Sequence, residues 1–194
     1  MKRMMRLLGV VGLAVALIAP VSAAQAQAAA PYCGIRWGSL DKNGGNYETY
    51  LDLHRVRAGR HACFDRLVID LSSRFPALYS VGYVDQVRNP DGSSPPQLGP
   101  AARGTVIPTR GGARLAVFVS AKMYSDGQLV YRPANPAELV DVRGWRTFRQ
   151  VAFGAHAYGA TIGLGVRARL PYRVFTLSGP GQESRLVIDV AHRW

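Results

Sequence analysis

Cysteine is scarce in this chain of 194 residues, with only two, and lysine is nearly as rare: after residue 30 only Lys42 and Lys122 remain. Two cysteines cannot build a disulfide-dense miniprotein, and a shortage of Lys and Glu excludes a long coiled coil. The 21 glycines follow no triplet period, which excludes collagen. With 48% hydrophobic and 19% charged residues the chain can bury enough apolar surface to order itself, so disorder is excluded as well. Recognisable catalytic signatures are also missing. There is no G-x-S-x-G, and no Gly-rich turn that opens a helix around a phosphate. His54, His61, His156 and His192 stand apart, with neither H-x-x-x-H nor H-E-x-x-H spacing. The acids are dispersed too, Asp65, Asp70 and Asp141 flanking strand-like segments rather than gathering. No enzyme, metal site or cofactor is therefore expected.

The first segment reads as an address rather than as structure. Lys2, Arg3 and Arg6 precede an apolar run from Leu7 to Val21, and small residues follow with A-x-A-like sites ending at Ala24, Ala26 or Ala28. That is the three-part order of a secretory signal peptide, assigned to residues 1–28. The run has about 15 apolar residues, short of the roughly 20 that span a bilayer, and no second long run follows, so a membrane-spanning protein is not expected. No cysteine closes the apolar run, so the lipobox of a lipid-anchored protein is absent. A secreted or envelope-associated location follows from these features. In an oxidising compartment Cys33 and Cys63, the only pair, are expected to bridge and tie an N-terminal extension, residues 29–59, to the first core strand.

The net charge of +12 is carried by arginine. Genomic bias toward Arg and attraction to a polyanion both account for it. In an exported protein nucleic acid is a poor partner, and anionic envelope polymers are better ones.

Beyond Cys33 the apolar period is two. Candidate strands are Phe64–Leu71, Leu78–Val87, Arg114–Met123, Leu129–Tyr131, Thr147–His156, Thr161–Leu170, Tyr172–Leu177 and Arg185–Val190. The stretch Asn89–Pro100 reads as a loop, Ser125-Asp126-Gly127 as a tight turn, and Pro133–Pro136 as a break. Helical spacing is thin: Glu138–Gly144 could hold one turn, and Asn46–Val56 is the one short helix allowed. The expectation is an all-β sandwich of about eight strands. On Thr161–Leu170 one face is apolar and the other carries Gly163, Gly165, Arg167 and Arg169, which favours a barrel-like bend over a ligand platform. The aromatics Tyr32, Trp37, Tyr47, Tyr50, Trp145 and Phe148 serve either sugar stacking or, more commonly, packing.

Arg66-Leu67-Val68-Ile69-Asp70 recurs letter for letter as Arg185-Leu186-Val187-Ile188-Asp189, near the other end of the domain. By period two Leu67, Ile69 and Leu71, and Leu186, Ile188 and Val190, point inward, while Arg, Val and Asp point out. This doubling predicts a pseudo-two-fold repeat. Arg66 and Asp70 are about 13 Å apart along one strand and cannot pair. If the copies are antiparallel neighbours, Arg66 faces Asp189 and Arg185 faces Asp70, giving two reciprocal pairs, each worth under about 1 kcal/mol if exposed.

Paired R-L-V-I-D strands, together with CFDRLVIDL, YSVGYVDQV, FRQVAFGAHAYGATIGLGVRARLPYRVFTL and ESRLVIDVAHRW, resemble the AMIN-like domain of exported actinobacterial (lipo)proteins, over about residues 60–194. This group is related to the AMIN domain, the envelope-targeting module of amidases. The resemblance implies a non-catalytic β-sandwich whose AMIN relatives bind peptidoglycan or localise partners. No catalytic segment follows before Trp194, so targeting would work through a separate protein. The candidate binding face is Arg66, Arg167, Arg169, Arg173 and Arg185, offering guanidinium groups to carboxylate or phosphate. Expected partners are a cell-wall polymer or an envelope protein; the alternative is a secreted carrier holding a small molecule or lipid between its sheets.

Overall fold

A computed structural model describes residues 31–46, 51–90 and 103–194. The signal segment and its candidate cleavage positions, Tyr47, Tyr50 and most of the loop Asn89–Pro100 lie outside the described residues. Among the described residues thirteen strands follow a 3-10 turn at Tyr32–Gly34. They are β1 (Lys42–Gly44), β2 (Leu53–Arg60), β3 (Phe64–Leu71), β4 (Tyr79–Val84), β5 (Arg88–Pro90), β6 (Gly104–Val106), β7 (Ala113–Ser120), β8 (Tyr124–Ser125), β9 (Gln128–Leu129), β10 (Phe148–His156), β11 (Gly159–Val166), β12 (Tyr172–Ser178) and β13 (Ser184–Ala191). A five-stranded sheet runs β1-β4-β7-β11-β10, and a four-stranded sheet runs β12-β13-β3-β2, all antiparallel. β5-β6 and β8-β9 are small ribbons.

The alternation read from the sequence decides which side chains fill the space between the sheets. Leu67, Ile69 and Leu71 of β3 and Leu186, Ile188 and Val190 of β13 are buried in one cluster with Val81, Leu115, Val117, Ile162 and Leu164 of the opposing sheet. Phe148 and Tyr172 are the bulkiest fully buried members. Tyr172 and Tyr83 meet edge-on at 5.6 Å, and each hydroxyl finds a backbone partner: Tyr83 donates to the Leu170 carbonyl and Tyr172 to those of Leu40 and Val81. Burial pushes the Tyr83 phenol up to about 12.

The twin segments are adjacent: β3 and β13 pair antiparallel with Arg66 opposite Asp189 and Asp70 opposite Arg185. The short helix allowed over 46–56 is not used in its described part, because Leu53–Arg60 joins the sheet as β2 with a bulge between Leu53 and Arg55. Glu138–Gly144 is turns and bends rather than helix. The described start of the loop expected over Asn89–Pro100 is strand, since Arg88–Pro90 pairs with Gly104–Val106. Asp126 and Gly127 both take positive φ, 51° and 73°, the mirror-image turn that closes the β8-β9 hairpin where Ser125-Asp126-Gly127 predicted one.

The barrel-like bend expected at Gly163 and Gly165 is not what those glycines do. β11 is buried on both faces because the chain's own Ile107–Gly112 segment lies across its outer side. A methyl group at Gly163 would collide with the Thr109 hydroxyl, and one at Gly165 with the Arg110 carbonyl. The strand also ends at Val166, four residues before the predicted Leu170, and Arg167–Leu170 becomes a connector. Cys33 and Cys63 form the expected disulfide, with Cα atoms 6.4 Å apart. A bridge over this separation stabilises by about 3–4 kcal/mol in the chain-entropy account.

Candidate functional site

The outer face of the four-stranded sheet is laid out in rows by the register. At one end the row is Arg173, Asp189, Arg66 and Gly59, reading β12, β13, β3, β2; the middle row is Phe175, Val187, Val68 and Arg57; the far row is Leu177, Arg185, Asp70 and Arg55.

In the first row the Asp189 carboxylate is fully buried. Arg66 grips it bidentately, Nε to Oδ1 at 2.6 Å and Nη2 to Oδ2 at 2.9 Å. Arg173 adds Nε to Oδ2 at 2.8 Å and Nη2 to Oδ2 at 2.7 Å. The pair anticipated as an exposed contact is thus a buried clamp. Aromatic rings make this possible by screening it from water. Arg66 lies over Phe64 and Phe175, at 5.1 and 5.5 Å, and Arg173 over Phe175, Phe64 and Trp37, at 4.9, 5.5 and 5.6 Å. Trp37 arrives from the extension, its indole N–H donating to the Tyr32 carbonyl next to the disulfide. Here the aromatics serve packing, and the strongest donors of both arginines are already used.

In the far row the second reciprocal pair does not form. Asp70 is taken by β2: Arg57 holds both oxygens, at 2.9 and 3.0 Å, and Arg55 stands at 3.4 Å. Burial would raise the Asp70 carboxyl, but the hydrogen bonds and charges of Arg57 and Arg55 outweigh it and hold the group below the usual carboxylate range. Arg185 is left to donate Nη2 to the Ser178 carbonyl at 2.8 Å, and its Nε, closed off from solvent, has no hydrogen-bond partner among the described residues. Arg185, Arg55, Arg57, Asp70, His54, Glu183 and Pro180 line an open groove of about 340 Å³. His54 Nδ1 stands 3.5 Å from Glu183. Three guanidinium groups against two carboxylates leave this groove with a positive excess, and Arg55 is largely exposed.

The five arginines expected on one face are therefore divided. Arg66, Arg173 and Arg185 share it. Arg167 and Arg169 lie on the connector after β11, where Arg167 donates to the His192 carbonyl and Arg169 stacks 4.8 Å over the Tyr83 ring. His54, Arg55 and Arg57 were not among the predicted site residues, since a helical reading of 46–56 hides their β register; the R-V-R alternation at Arg55–Arg57 is the signal that would have placed them.

A second groove, about 420 Å³, is lined by Arg110, Glu138, Asp141 and Arg143, but each cation there holds a carboxylate: Arg110 on Glu138 at 2.5 Å and Arg143 on Asp141 at 2.7 Å. The Arg143 contact draws the Asp141 carboxyl down to about 2. The buried set Asp65, Thr147 and His192 is a brace between the sheets. Asp65 accepts the Thr147 and Phe148 backbone N–H groups, Thr147 Oγ1 meets His192 Nδ1 at 2.9 Å, and His192 Nε2 meets the His61 carbonyl at 3.0 Å. Among the described residues no three His, Cys, Asp or Glu side chains gather as a metal site.

Compared with known proteins, residues 51–192 match the family model of the AMIN-like domain. No curated protein and no solved structure matches the chain.

Proposed function

The chain belongs to the AMIN-like domain family, whose members are generally non-catalytic targeting modules of the cell envelope, and from that premise we propose that it is an exported binding module recognising an anionic wall polymer such as peptidoglycan. In this reading residues 1–28 direct export, and residues 29–59, read from the sequence as an extension to a 60–194 domain, supply β1 and most of β2 and with them Arg55 and Arg57 of the groove. The single observation that carries the ligand chemistry is the groove at the far row. Three guanidinium groups there stand against two carboxylates and Arg55 is largely exposed, so a carboxylate or phosphate entering the groove would find charge-assisted donors. Arg66 and Arg173 support the same face from the closed end by fixing β12, β13 and β3 in register. A carrier would need room between the sheets, and that space is occupied by Phe148, Tyr172, Leu67, Ile69 and their neighbours, which favours surface binding.

The test is co-sedimentation of the mature protein with purified cell wall across a salt titration, alongside the double variant R55Q/R185Q. Binding is expected at low ionic strength, falling steeply as salt rises and falling again in the variant. Absence of binding at low salt, or binding indifferent to both salt and substitution, would overturn the reading.

A further inference from the structure

Among the described residues four strands form the edges of the two larger sheets, and three of them are protected in ways that discourage strand addition. β1 is three residues long. β10 is covered by its own chain, with Leu139 N–H donating to the Val151 carbonyl and Phe153 N–H to the Pro136 carbonyl. β2 is bulged and charged, carrying His54, Arg55, Arg57 and Arg60.

β12 differs. Tyr172 N–H and C=O bond outward to Gly38, at 2.7 and 3.3 Å, and by the two-residue alternation of an antiparallel strand the N–H and C=O of Val174 and Thr176 point the same way. The hairpin end confirms the parity independently: Gly179 N–H donates inward to the Glu183 carbonyl, so the odd-numbered residues face β13 and the even ones face out. No backbone partner meets Val174 or Thr176 among the described residues. The open stretch Val174–Leu177 is β-branched, aromatic and aliphatic, with no charge and no proline, and Leu177 is 41% exposed. Its approach carries a positive excess: Arg173 is one-third exposed, Lys42 sits 4.9 Å over the Tyr172 ring, and Arg169 is exposed above Tyr83, against the exposed Asp41 beside Lys42, while Asp189 is sealed. A second copy of the chain would bring the same cations against these, so charge selects a different occupant.

We propose that the free edge of β12 receives an extended, acidic segment of a partner protein, which adds beside Val174–Thr176 as a further strand of the four-stranded sheet. Main-chain hydrogen bonds supply the affinity. Carboxylates near Arg173 and Lys42, alternating with β-branched residues beside Phe175 and Leu177, supply the selectivity. The proposal is independent of the groove, which Val174 and Thr176 do not line.

The experiment selects binders from a displayed pool of short random peptides against the mature protein and compares them on T176A and T176P. Proline at an edge position removes only the outward N–H and leaves the β12-β13 ladder intact. Selected peptides are expected to be acidic with alternating β-branched residues, to bind T176A like the parent, and to bind T176P about tenfold more weakly. T176P is expected to keep its unfolding midpoint and its sedimentation with cell wall. Amide exchange on the unsubstituted protein gives a reading that does not depend on the variant folding: Val174 and Thr176 slow when peptide is added. A pool that yields no binder, binders that are basic or indifferent to T176P, or unchanged exchange at these two amides would each overturn the proposal. So would peptide-free, concentration-dependent protection of the same amides, which would assign the edge to a second copy.

Discussion

The two ends of the twin segment start from the same five letters and finish differently. At Arg66 and Asp189 the cross-strand pair closes, gains Arg173 as a second donor and is sealed by Phe64, Phe175 and Trp37. At Arg185 and Asp70, in matched register, the acid is captured by Arg57 and Arg55 and the arginine faces an open groove. What separates them is the third strand. β12 brings a guanidinium to the acid of β13 together with an aromatic neighbour, so the end gains a cover; β2 brings guanidiniums to the acid of β3 and no ring, so the end stays wet. Pair identity is local, but whether the pair becomes a strut or a site is decided by the strand beside it.

The comparison breaks most visibly at Asp189. D189N is expected to cost about 3 kcal/mol in denaturant unfolding, because two partly buried guanidiniums lose their buried counter-charge. Next, C33S/C63S is expected to cost about 2–4 kcal/mol and to open the covered end, read as faster amide exchange around Arg66 and Arg173 while β10 and β11 stay protected. In acid a contribution from the other sheet has to be separated first. His156 is buried against Phe118 and burial lowers it to about 4, so the unfolded chain binds the extra proton and stability falls as pH drops from about 6.5 toward 4. H156F is expected to remove that loss, at most about 2 kcal/mol after allowing for solvent screening. In that background the open end can be read. Asp70 sits below its unfolded value near 3.8, so its stabilisation is complete above that pH and disappears as pH falls through the folded value. D70N, with an exposed Arg55 and a half-exposed Arg57 as partners, is expected to cost under about 1 kcal/mol. R185Q is expected to leave the midpoint unchanged and to lower only wall binding, which sharpens the contrast between strut and site.

Much of this architecture was readable from spacing. Alternation named the inward residues of β3 and β13, and the repeated pentapeptide gives the correct facing partners on the condition, met in the structure, that the two copies are antiparallel neighbours. What could not be read was competition. Nothing in R-L-V-I-D says that Asp70 meets Arg57 before Arg185, since that depends on β2 being a strand, and the Tyr47–Leu51 spacing reads equally as helix. Nor does a G-x-G on β11 distinguish a bend from a surface awaiting cover; only the return of Thr109 and Arg110 over it does. The Arg167 and Arg169 positions failed for a simple reason: the alternating pattern continues past the residue where the hydrogen-bonded ladder stops.

The disulfide has one more consequence. The 3-10 turn it anchors contains no buried residue, and the segment between that turn and β1 reaches the four-stranded sheet through Trp37 and the Gly38 bridge. A thiol reductant would therefore unlatch a flap rather than pull out a keystone: the hydrophobic interior keeps its packing while the carboxylate beneath Arg173 meets solvent. Oxidation, on this account, fastens a cover over one end of the sheet and leaves the interior as it is.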